Sequence, residues 1–484
     1  MYNDLREFLA ELRKRNEVIE IAKNVDPQFE IGDICRKVND IEGPALLFRN
    51  IKGYPGWVVV ANVLGTLDRI ALAMKSSLDK MIGEYCDRIK NKAQFPPKLV
   101  QKERAPCKEV IIRGEEIDLY KIPIPTWHPM DGGPFITIGS QITKDPDSRV
   151  PNVSMLRQMV QKKDQLGILL LPGKHTAIHY FKQKEKKEPL DFAVAIGLDP
   201  IISIVSCHNG PLDESEFNVA GALRGTPVEL VKCETVDIEV PATAEIVIEG
   251  KIPPDETYLE GPFGEFSGWF APKTTSNPPV KVTCITHRKD PIYQGLYVGK
   301  PPHEDSAITT LTFSASIFSI AKENCPGLVA YTKDPYGTGF FMGIASIRKM
   351  YPGHAKHAMH AIWGTQAGKY QKVLIVVDDN IDIHDMREVT WAICTRCRPD
   401  RDIHIERDTV ASVLDPSMWP KTGIGGRIMI DATEKWEEEG NAPLNQRQKV
   451  ISHEGSPYWE EIGEKGLSKY LGVDMSPWIK RKSV

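Results

Sequence analysis

The sequence has no surplus of charge of either sign. Its 61 lysines and arginines are matched by 65 aspartates and glutamates, which gives a formal net charge of -4. A chain without a basic excess has little with which to neutralise a phosphate backbone. We therefore expect no nucleic-acid partner.

Long apolar runs are also missing. No uncharged stretch approaches the ~18 residues that a membrane span requires, so we expect no membrane span. The first segment, MYNDLREFLAELRKRNEV, carries charges throughout and lacks an apolar core, which predicts no signal peptide. The nine cysteines are scattered along the chain rather than spaced as a disulfide framework. This distribution favours the reducing cytoplasm.

What is present has the composition of an ordinary globular protein, with 41% hydrophobic and 26% charged residues over 484 positions. This length allows two or three domains, and no internal repeat is visible. Apolar residues recur at helical spacing from Leu5 to Leu12, behind Asp4 and Glu7 at capping-box spacing, so the chain is predicted to begin with a helix. The charged, proline-containing stretch 90–109 is predicted to be a linker.

From about 110 to 300, short apolar stretches closed by turn residues predict a barrel-like β domain. The stretches include VIIRG, FITIGSQIT, VSMLRQMV, LGILLLPG, AVAIGL and IISIVSC. The later segment VKVTCITHRKDPIYQGLYVG predicts a hairpin that turns at residues 288–290. Beyond 300, KVLIVVDD (372–379) predicts a buried parallel strand followed by a capped helix, and residues 466–480 predict a terminal helix. That alternation is typical of an α/β domain.

Two motifs have metal-like spacing but favour simpler interpretations. Cys394 and Cys397 form an isolated CxxC pair, for which the sequence shows no second pair or nearby zinc-spaced histidine. His354, His357 and His360 recur at every third residue, so they fan around a helix rather than face one point. We expect a packed helical pair and a helix surface or subunit contact, respectively.

Asn152, His175 and Glu216 are far apart in sequence, and each stands beside an apolar stretch of the β region. One amide oxygen, one imidazole and one carboxylate would suit a divalent ion such as Mn²⁺ or Mg²⁺. Any barrel contains some histidines and glutamates near strand ends. The residues by themselves therefore leave the metal site open.

The segment LEGPFGEFSGWF places Glu260 and Glu265 on either side of Gly-Pro-Phe-Gly. Glycine and proline together favour a tight turn that would aim both acids at one spot. The alternative is an exposed turn with two solvated glutamates. Arg157 lies in a largely apolar stretch, where a guanidinium needs a carboxylate partner, and these glutamates are candidates.

Several longer motifs follow one another along nearly the whole chain. They are DGGPFIT (131–137), NVSMLR (152–157), GKH (173–175), EFNVAGALRGTPVELV (216–231), PATAEIVIEG (241–250), EGPFGEFSG (260–268) and VDDNIDIHDMREVTWA (377–392). In these motifs and in their order the sequence resembles the UbiD family of prenylated-FMN-dependent (de)carboxylases. The resemblance implies an α+β fold with an N-terminal α/β domain (1–110), a central split β-barrel like that of flavin reductases (111–310) and a C-terminal α/β oligomerisation domain with a terminal helix (311–484).

The resemblance also implies site residues. The implied catalytic residues are Arg157, Glu260 and Glu265. The implied metal ligands are Asn152, His175 and Glu216, with Mn²⁺ or Mg²⁺ as the ion and K⁺ as a candidate further ion. The implied cofactor contacts are Asn152, Ser154, Met155, Leu156, Arg157, Lys174, His175, Ser206, Cys207 and Glu216. A phosphate-binding lysine of the C-terminal domain corresponds to Lys369 or Lys372, and the motifs do not decide between them.

The implied activity is reversible, non-oxidative decarboxylation of an aromatic, heteroaromatic or α,β-unsaturated acid through a covalent adduct with prenylated FMN. Glu265 is the implied proton donor, and Arg157 with Glu260 forms an ion pair that meets the substrate carboxylate. The alternatives are a 4-hydroxy-3-polyprenylbenzoate decarboxylase of quinone biosynthesis, a plain FMN reductase and a non-catalytic flavin-binding subunit. The segment GKPPHEDS (299–306) resembles the polyprenyl-hydroxybenzoate and heteroaromatic branches more than the phenolic-acid branch.

The resemblance further implies partners. We expect a small carboxylic acid as substrate, a homodimer or homohexamer as the assembly, and a flavin prenyltransferase as the source of the cofactor.

Overall fold

The computed structural model describes residues 1–171, 173–418, 423–440, 456, 461–462 and 466–474. The first group of elements comprises α1 (Leu5–Lys14), β1 (Val18–Val25), α2 (Glu30–Asn39), β2 (Ala45–Ile51), β3 (Val58–Ala61), α3 (Leu67–Ala73) and α4 (Met81–Ile89). The Asp4 carboxylate accepts the N–H of Glu7 and caps α1, whose apolar face is buried as predicted.

The second group is rich in strands. Its strands are β4 (Lys98–Leu99), β5 (Val110–Arg113), β6 (Phe135–Ile136), β7 (Ser140–Lys144), β8 (Pro151–Met155), β9 (Gln158–Lys162), β10 (Gln165–Ile168), β11 (Leu190–Ile196), β12 (Glu229–Lys232), β13 (Glu239–Pro241), β14 (Ile246–Ile252), β15 (Tyr258–Glu260), β16 (Phe263–Gly264), β17 (Phe270–Ala271), β18 (Thr274–Asn277), β19 (Pro279–His287) and β20 (Ile292–Gly295). Its helices are α5 (His175–Lys186), α6 (Pro200–Val205) and α7 (Glu216–Arg224).

The third group comprises α8 (Glu304–Asn324), β21 (Leu328–Lys333), β22 (Met342–Ile347), α9 (His354–Trp363), β23 (Val373–Asp378), α10 (Met386–Arg396), α11 (Pro399–Asp402), β24 (Ile403–Val410), β25 (Ile424–Asp431) and α12 (Leu467–Leu471). Short 3-10 turns occur at Lys92–Gln94, Lys102–Arg104, Pro106–Lys108, Gly114–Glu116, Leu119–Lys121, Gly368–Tyr370 and Glu437–Glu439. Among the described residues, no helix combines the length and the apolarity needed to cross a bilayer.

The main sheet of the second group is bent back on itself. Its strand order is β6-β9-β10-β19-β14-β11-β7-β8, with β5 paired to β19. Only residues 137–139 separate β6 from β7, and they reach at most about 14 Å. In a flat sheet those two strands would stand about 29 Å apart, so the sheet must curl. The molecule thus has the predicted mixed α+β fold, while a flavin-reductase-like split barrel remains a prediction.

Two local predictions in this region are wrong. Strand β20 does not return along β19 as a hairpin; it pairs in parallel with β3 and completes the sheet β1-β2-β3-β20. IISIVSC forms helix α6 instead of a strand, because the Asp199 carboxylate accepts the N–H of Ile201 at 2.8 Å and Pro200 occupies the first helical position. A fully buried short helix and a buried strand carry the same continuous apolar pattern.

The third group contains the sheet β21-β22-β23-β25-β24, in which β22, β23 and β25 run parallel. Strand β23 lies inside it, which confirms the buried parallel strand predicted at 372–379. The predicted domain limits stay predictions; the limit between 310 and 311 falls within α8. Of the predicted terminal helix, residues 467–471 form α12, residues 472–474 are not helical, and residues 475–480 lie outside the described part of the chain.

The predicted linker is a packed connection. Within 90–109, strand β4 pairs with β12, and the side chains of Cys107 and Lys108 are buried. The Lys108 ammonium lies 3.1 Å from the buried Glu249 carboxylate. This segment therefore belongs to the body of the second group.

Candidate active site

Arg157 lies in the two-residue turn between β8 and β9 and binds both predicted glutamates. Its Nε and Nη2 donate to the two carboxylate oxygens of Glu260, at 2.8 and 2.9 Å, and its Nη1 donates to Glu265. The three side chains are 8%, 0% and 7% exposed, so the solvated-turn alternative is wrong. The structure therefore brings the three residues of the predicted triad into contact.

Glycine is required on both sides of Pro262 in the turn that carries the glutamates, for two different reasons. Gly261 has φ +81°, a conformation that side chains with a Cβ rarely adopt. A Cβ on Gly264 would lie only 2.3 Å from the ring of His128. One glycine supplies a backbone angle and the other supplies space.

The segment DGGPFIT holds this turn from outside. Asp131 Oδ1 accepts the N–H of Gly264 at 2.9 Å, and the N–H of Gly132 donates to the carbonyl of Pro262 at 2.8 Å. Sequence reasoning used the segment only for its resemblance and assigned no task to Asp131. An acid beside two glycines was the available signal, but it does not identify the backbone group that the acid will bind.

The two glutamates differ in what they face. A cavity of about 460 Å³ is lined by Arg157 and Glu265, whereas Glu260 stands behind the arginine and does not reach the cavity wall. The centroid of the Phe263 ring lies 4.8 Å from Arg157 Cζ, so the guanidinium lies over the face of this ring. One acid is thus placed to balance the arginine charge, and the other to meet a bound molecule.

Burial and neighbouring charges shift the pKa values of Glu265 and Arg157. Burial raises the pKa of Glu265; the Arg157 charge opposes this shift, and the nearby Glu260 adds to it. Burial alone would lower the pKa of Arg157, but the hydrogen bond with Glu260 and the charges of the two glutamates outweigh it and raise the pKa. The site therefore combines a permanent cation with an acid that keeps its proton to higher pH than usual.

The predicted metal ligands come from three elements: Asn152 from β8, and His175 and Glu216 from the first residues of α5 and α7. Asn152 Oδ1 lies 3.1 Å from His175 Nδ1, and Glu216 Oε2 accepts the N–H of Val153 at 2.8 Å. Neighbouring ligand atoms of an octahedral ion with bonds of about 2.1 Å are about 3 Å apart. The placement of Asn152 and His175 agrees with that spacing.

The chemistry of these ligands also fits a divalent cation. Glu216 is 3% exposed, and no ion pair among the described residues reaches its carboxylate. Burial raises the pKa of Glu216 to about 8, because an ionised carboxylate is costly in this site. A bound cation would remove that cost. Burial, together with the charges of Lys174 and His208, lowers the pKa of His175 and favours the neutral imidazole that binds metals.

The N-terminal turn of α5 completes one end of the cavity. Gly173, Lys174, His175 and Thr176 line it, and a helix start presents free N–H groups that favour an anion such as a phosphate. All ten predicted cofactor contacts line the same cavity, including the five not yet placed: Ser154, Met155, Leu156, Ser206 and Cys207. The sequence did not decide whether Lys369 or Lys372 is the phosphate-binding lysine. Lys372 forms an ion pair with Asp415 at 3.0 Å. Burial lowers the pKa of Lys174, and the charge of Lys369 lowers it further.

Sequence reasoning missed the wall contributed by the third group of elements. Asp305, Thr309 and Phe313 of α8 line the cavity together with Phe340 and Tyr370. The Phe340 ring lies 5.3 Å from Phe313 and stacks on Tyr370 at 5.9 Å. The segment GKPPHEDS contains Asp305, but nothing in the segment signals which of its side chains would face the cavity.

The histidine motif of α9 and the CxxC motif of α10 lie outside the cavity lining. His357 and His360 are exposed on α9, in agreement with the predicted helix surface, whereas His354 is buried, so for His354 that prediction is wrong. His354 lies with Cys325 and His357 in the one cluster of three histidine, cysteine or acidic side chains among the described residues whose ligand atoms all lie within 4.8 Å of one another. The N–H of Met350 donates to His354 Nδ1 at 3.2 Å, so the ring proton sits on Nε2, 3.4 Å from Cys325 Sγ. Cys394 and Cys397 lie at the end of α10, and the prediction of a packed helical pair is wrong because Cys394 is exposed and Cys397 only half-buried.

Comparison with known proteins gives matches along most of the chain. Residues 9–89, 98–301 and 306–432 match the N-terminal, Rift-related and C-terminal domains of the UbiD family of 3-octaprenyl-4-hydroxybenzoate carboxy-lyases. The UbiD-class enzyme HmfF of Pelotomaculum thermopropionicum, solved with FMN, is 37% identical over 95% of this chain and 98% of its own, with a TM-score of 0.86. An evolved dimeric form of HmfF, solved with prenylated FMN, is 36% identical over 92% of this chain and 99% of its own, with a TM-score of 0.82.

A third solved structure is vanillic acid decarboxylase of Sedimentibacter hydroxybenzoicus in its closed form. It is 33% identical over 96% of this chain and 99% of its own, with a TM-score of 0.86. The likeness to these structures extends almost end to end and includes the segments that build the cavity. By these matches and by its fold, the chain belongs to the UbiD family.

Proposed function

We infer that this protein is a carboxy-lyase that uses prenylated FMN to decarboxylate an aromatic, heteroaromatic or α,β-unsaturated carboxylic acid. The observation that carries this conclusion is the buried contact of Arg157 with Glu260 and Glu265 at the wall of a cavity whose other end holds a set of metal-type ligands. Solved relatives that contain FMN or prenylated FMN support the cofactor, and vanillic acid decarboxylase supports the reaction.

Asn152, His175 and Glu216 would hold Mn²⁺ or Mg²⁺ against the flavin phosphate, beside Lys174 and the N–H groups at the start of α5. When bound, prenylated FMN supplies the electron sink that decarboxylation requires. The task of the chain is to orient the acid, exclude water and deliver a proton.

Arg157 is the group proposed to orient the substrate carboxylate. An arginine has five N–H donors, and three of them point at Glu260 and Glu265. The remaining two are proposed to donate to a substrate carboxylate, since Arg157 lines the cavity. Glu260, behind the guanidinium, fixes the plane in which those donors lie and compensates the buried charge.

Glu265 is proposed to deliver the proton to the carbon that loses CO₂. It lines the cavity, and its raised pKa lets it keep its proton to higher pH than an ordinary glutamate does. In the carboxylation direction the same residue, ionised, would accept that proton. High CO₂ or bicarbonate would favour this direction by mass action.

The cavity favours a small acid over a polyprenylated hydroxybenzoate. Its volume of about 460 Å³ has to accommodate the flavin as well as the substrate. A long isoprenoid tail would have to leave the cavity and lie outside it. A plain FMN reductase and a non-catalytic flavin-binding subunit are disfavoured because neither needs a buried arginine between two buried acids.

The test is to produce the protein with and without a flavin prenyltransferase and to assay CO₂ release and H/D exchange on a panel of aromatic, heteroaromatic and acrylic acids. We expect turnover only in cofactor-loaded protein. Equal rates without the prenyltransferase would contradict the modified cofactor. FMN reduction by NADH that does not depend on Arg157 would instead establish the reductase.

We also propose a homodimer or homohexamer. Exposed apolar side chains gather at and beside the edge strand β24, where Ile405, Val410 and Val413 are 63%, 54% and 44% exposed. Light scattering of purified protein tests this, and a monomer at micromolar concentration would contradict it.

A further inference from the structure

Helix α8 presents a stripe of three side chains to the cavity. Asp305, Thr309 and Phe313 follow at four-residue spacing, and all three line the cavity wall. Residues at this spacing share one face of a helix, about 6 Å apart along it. This wall comes from a different part of the chain than the turn that carries Glu265, so a molecule between them contacts both.

The polar half of the stripe offers hydrogen-bond acceptors. The Thr309 hydroxyl donates its proton to the backbone carbonyl of Asp305 at 2.8 Å, so towards the cavity its oxygen can only accept. Among the described residues, no hydrogen bond or ion pair engages the Asp305 carboxyl. The Asp305 carboxyl and the Thr309 oxygen are therefore neighbouring acceptors on the cavity wall, and no donor among the described residues is seen to bind either of them.

A simpler explanation for Asp305 is its place in the first turn of α8, where acids stabilise a helix dipole. The helix start is already served by other groups: His303 and Ser306 form a capping box, and Glu304 precedes Asp305 in the same turn. Moreover, burial raises the pKa of Asp305 to about 7, and the nearby Glu265 contributes. An acid that served only the helix dipole would not need to be half-buried on a cavity wall beside a second acid.

We propose that Asp305, with Thr309 beside it, selects carboxylic acids that carry a hydrogen-bond donor, such as a hydroxyl or a ring N–H, on the part of the molecule that faces α8. This inference rests on the proposed decarboxylase function and specifies its substrate class. A substrate without a donor would cover this half-buried carboxyl and leave it unpaired, which costs binding in the transition state. Above its pKa Asp305 is ionised, and a second carboxylate in the same position then meets like charge and is rejected.

Two matched pairs of acids test the proposal. Pyrrole-2-carboxylic and furan-2-carboxylic acid differ in a ring N–H against a ring oxygen, and 4-hydroxycinnamic and 4-methoxycinnamic acid differ in a donor hydroxyl. We expect cofactor-loaded wild-type protein to favour the donor member of at least one pair by about tenfold or more in kcat/KM, as for a hydrogen bond to a charged group.

Variants of Asp305 show whether this residue, and not the rest of the cavity wall, causes the preference for a donor. Asp305→Leu removes the acceptor and should reduce the preference to within about threefold, while Asp305→Asn keeps one acceptor oxygen and should retain part of it. Glu323→Leu removes a carboxylate from an exposed position of the same helix and should leave the preference unchanged. Circular dichroism and thermal unfolding check that each variant is folded.

A second measurement does not depend on turnover. Dissociation constants of the same acids for protein loaded with unmodified FMN should show the donor preference in wild type and lose it in Asp305→Leu. A preference that is absent in wild type, or that survives in Asp305→Leu, overturns the inference about Asp305. Failure of wild-type protein to decarboxylate any acid of the wider panel overturns the proposed function instead, and the binding data still decide the role of Asp305.

Discussion

One guanidinium binds two carboxylates of the same chemical type that lie in different surroundings. Glu260 is fully buried behind Arg157 and makes two hydrogen bonds to it, whereas Glu265 touches the arginine once and faces the cavity. The geometry thus supports an ion pair on one side and a proton donor on the other.

Substitution Glu265→Gln is expected to keep the flavin bound and to lower kcat by about 10²–10⁴-fold, because the amide fills the same space but has no proton to deliver. Single-turnover kinetics and the absorbance of bound flavin measure the two effects. Glu256→Gln, at a half-exposed position before the same turn, is the control and should keep wild-type rates. Undiminished turnover in Glu265→Gln would contradict the assignment.

The raised pKa of Glu265 sets a direction for the pH dependence. The donor must be protonated, so kcat/KM should be flat on the acidic side and fall as pH rises through that pKa, above the ordinary value of 4.5. In the carboxylation direction the ionised form is needed, and the dependence should reverse. Rate profiles measured in both directions check this, and the same slope in both would exclude a shared acid–base group.

At the scale of elements, the tight turn between β15 and β16 depends on packing against its neighbours. Gly264→Ala would place a Cβ 2.3 Å from the His128 ring, which is held by the carbonyl of Val298 at 2.7 Å. We expect a loss of about 1–3 kcal/mol in the free energy of unfolding and a larger loss of activity, since Glu265 follows directly.

Urea unfolding and steady-state kinetics measure these two losses. Gly83→Ala, in helix α4 with no atom within 4 Å of the added carbon, is the control and should be neutral or slightly stabilising. An unchanged Gly264→Ala protein would show that the ring of His128 can move without cost.

Helix α5 is anchored to the turn between β7 and β8 by Asp145. Burial alone would raise the pKa of this carboxyl, but hydrogen bonds from Lys182 (2.7 Å) and from the N–H groups of Asp147 and Ser148 lower it to about 2. Because the folded-state pKa is depressed, the stabilisation is present above the ordinary value of 3.8 and is lost as pH falls towards 2.

Asp145→Asn is therefore expected to lower the free energy of unfolding at pH 7 by about 2 kcal/mol. It should also weaken metal binding, because β8 carries Asn152 and α5 carries His175. Urea unfolding at pH 7 and metal titration measure both effects. Asp147→Asn removes a more exposed partner of Lys182 and should have a smaller effect on each. Equal effects of the two variants would contradict the anchoring role.

At the scale of the whole molecule, the cavity joins parts that are distant in the chain. Its wall combines strands and helices of the second group with α8 and later residues of the third. A ligand that binds only the folded arrangement stabilises all of these parts together.

FMN with Mn²⁺ should accordingly raise the unfolding temperature, by the equivalent of about 2.7 kcal/mol when ligand is at 100 times its Kd. His175→Ala should abolish the shift that Mn²⁺ adds and reduce the shift from FMN, whereas His360→Ala, exposed on α9, should not. Differential scanning calorimetry with each ligand alone and together makes the comparison. A full shift in His175→Ala would remove that residue from the metal site.

Local signals predicted local structure well. The cap at Asp4 and the apolar spacing from Leu5 identified α1, and the run at 372–379 identified β23. The same kind of signal failed for α6 and for the pairing of β20, because an apolar pattern reports burial and not the neighbour against which a segment is buried. The site residues came from ordered motifs, since their spacing alone left the metal and turn interpretations open.

The sequence by itself determined which chemical groups are present, their order along the chain and several helix starts, because these depend on neighbouring residues. Only the tertiary structure decided that Arg157 meets acids more than 100 positions away, that Glu265 and not Glu260 faces the cavity, and that Asp305 lies on its wall. Those relations arise from the curl of the central sheet and the packing of α8, and such long-range contacts leave no periodic signal in the sequence.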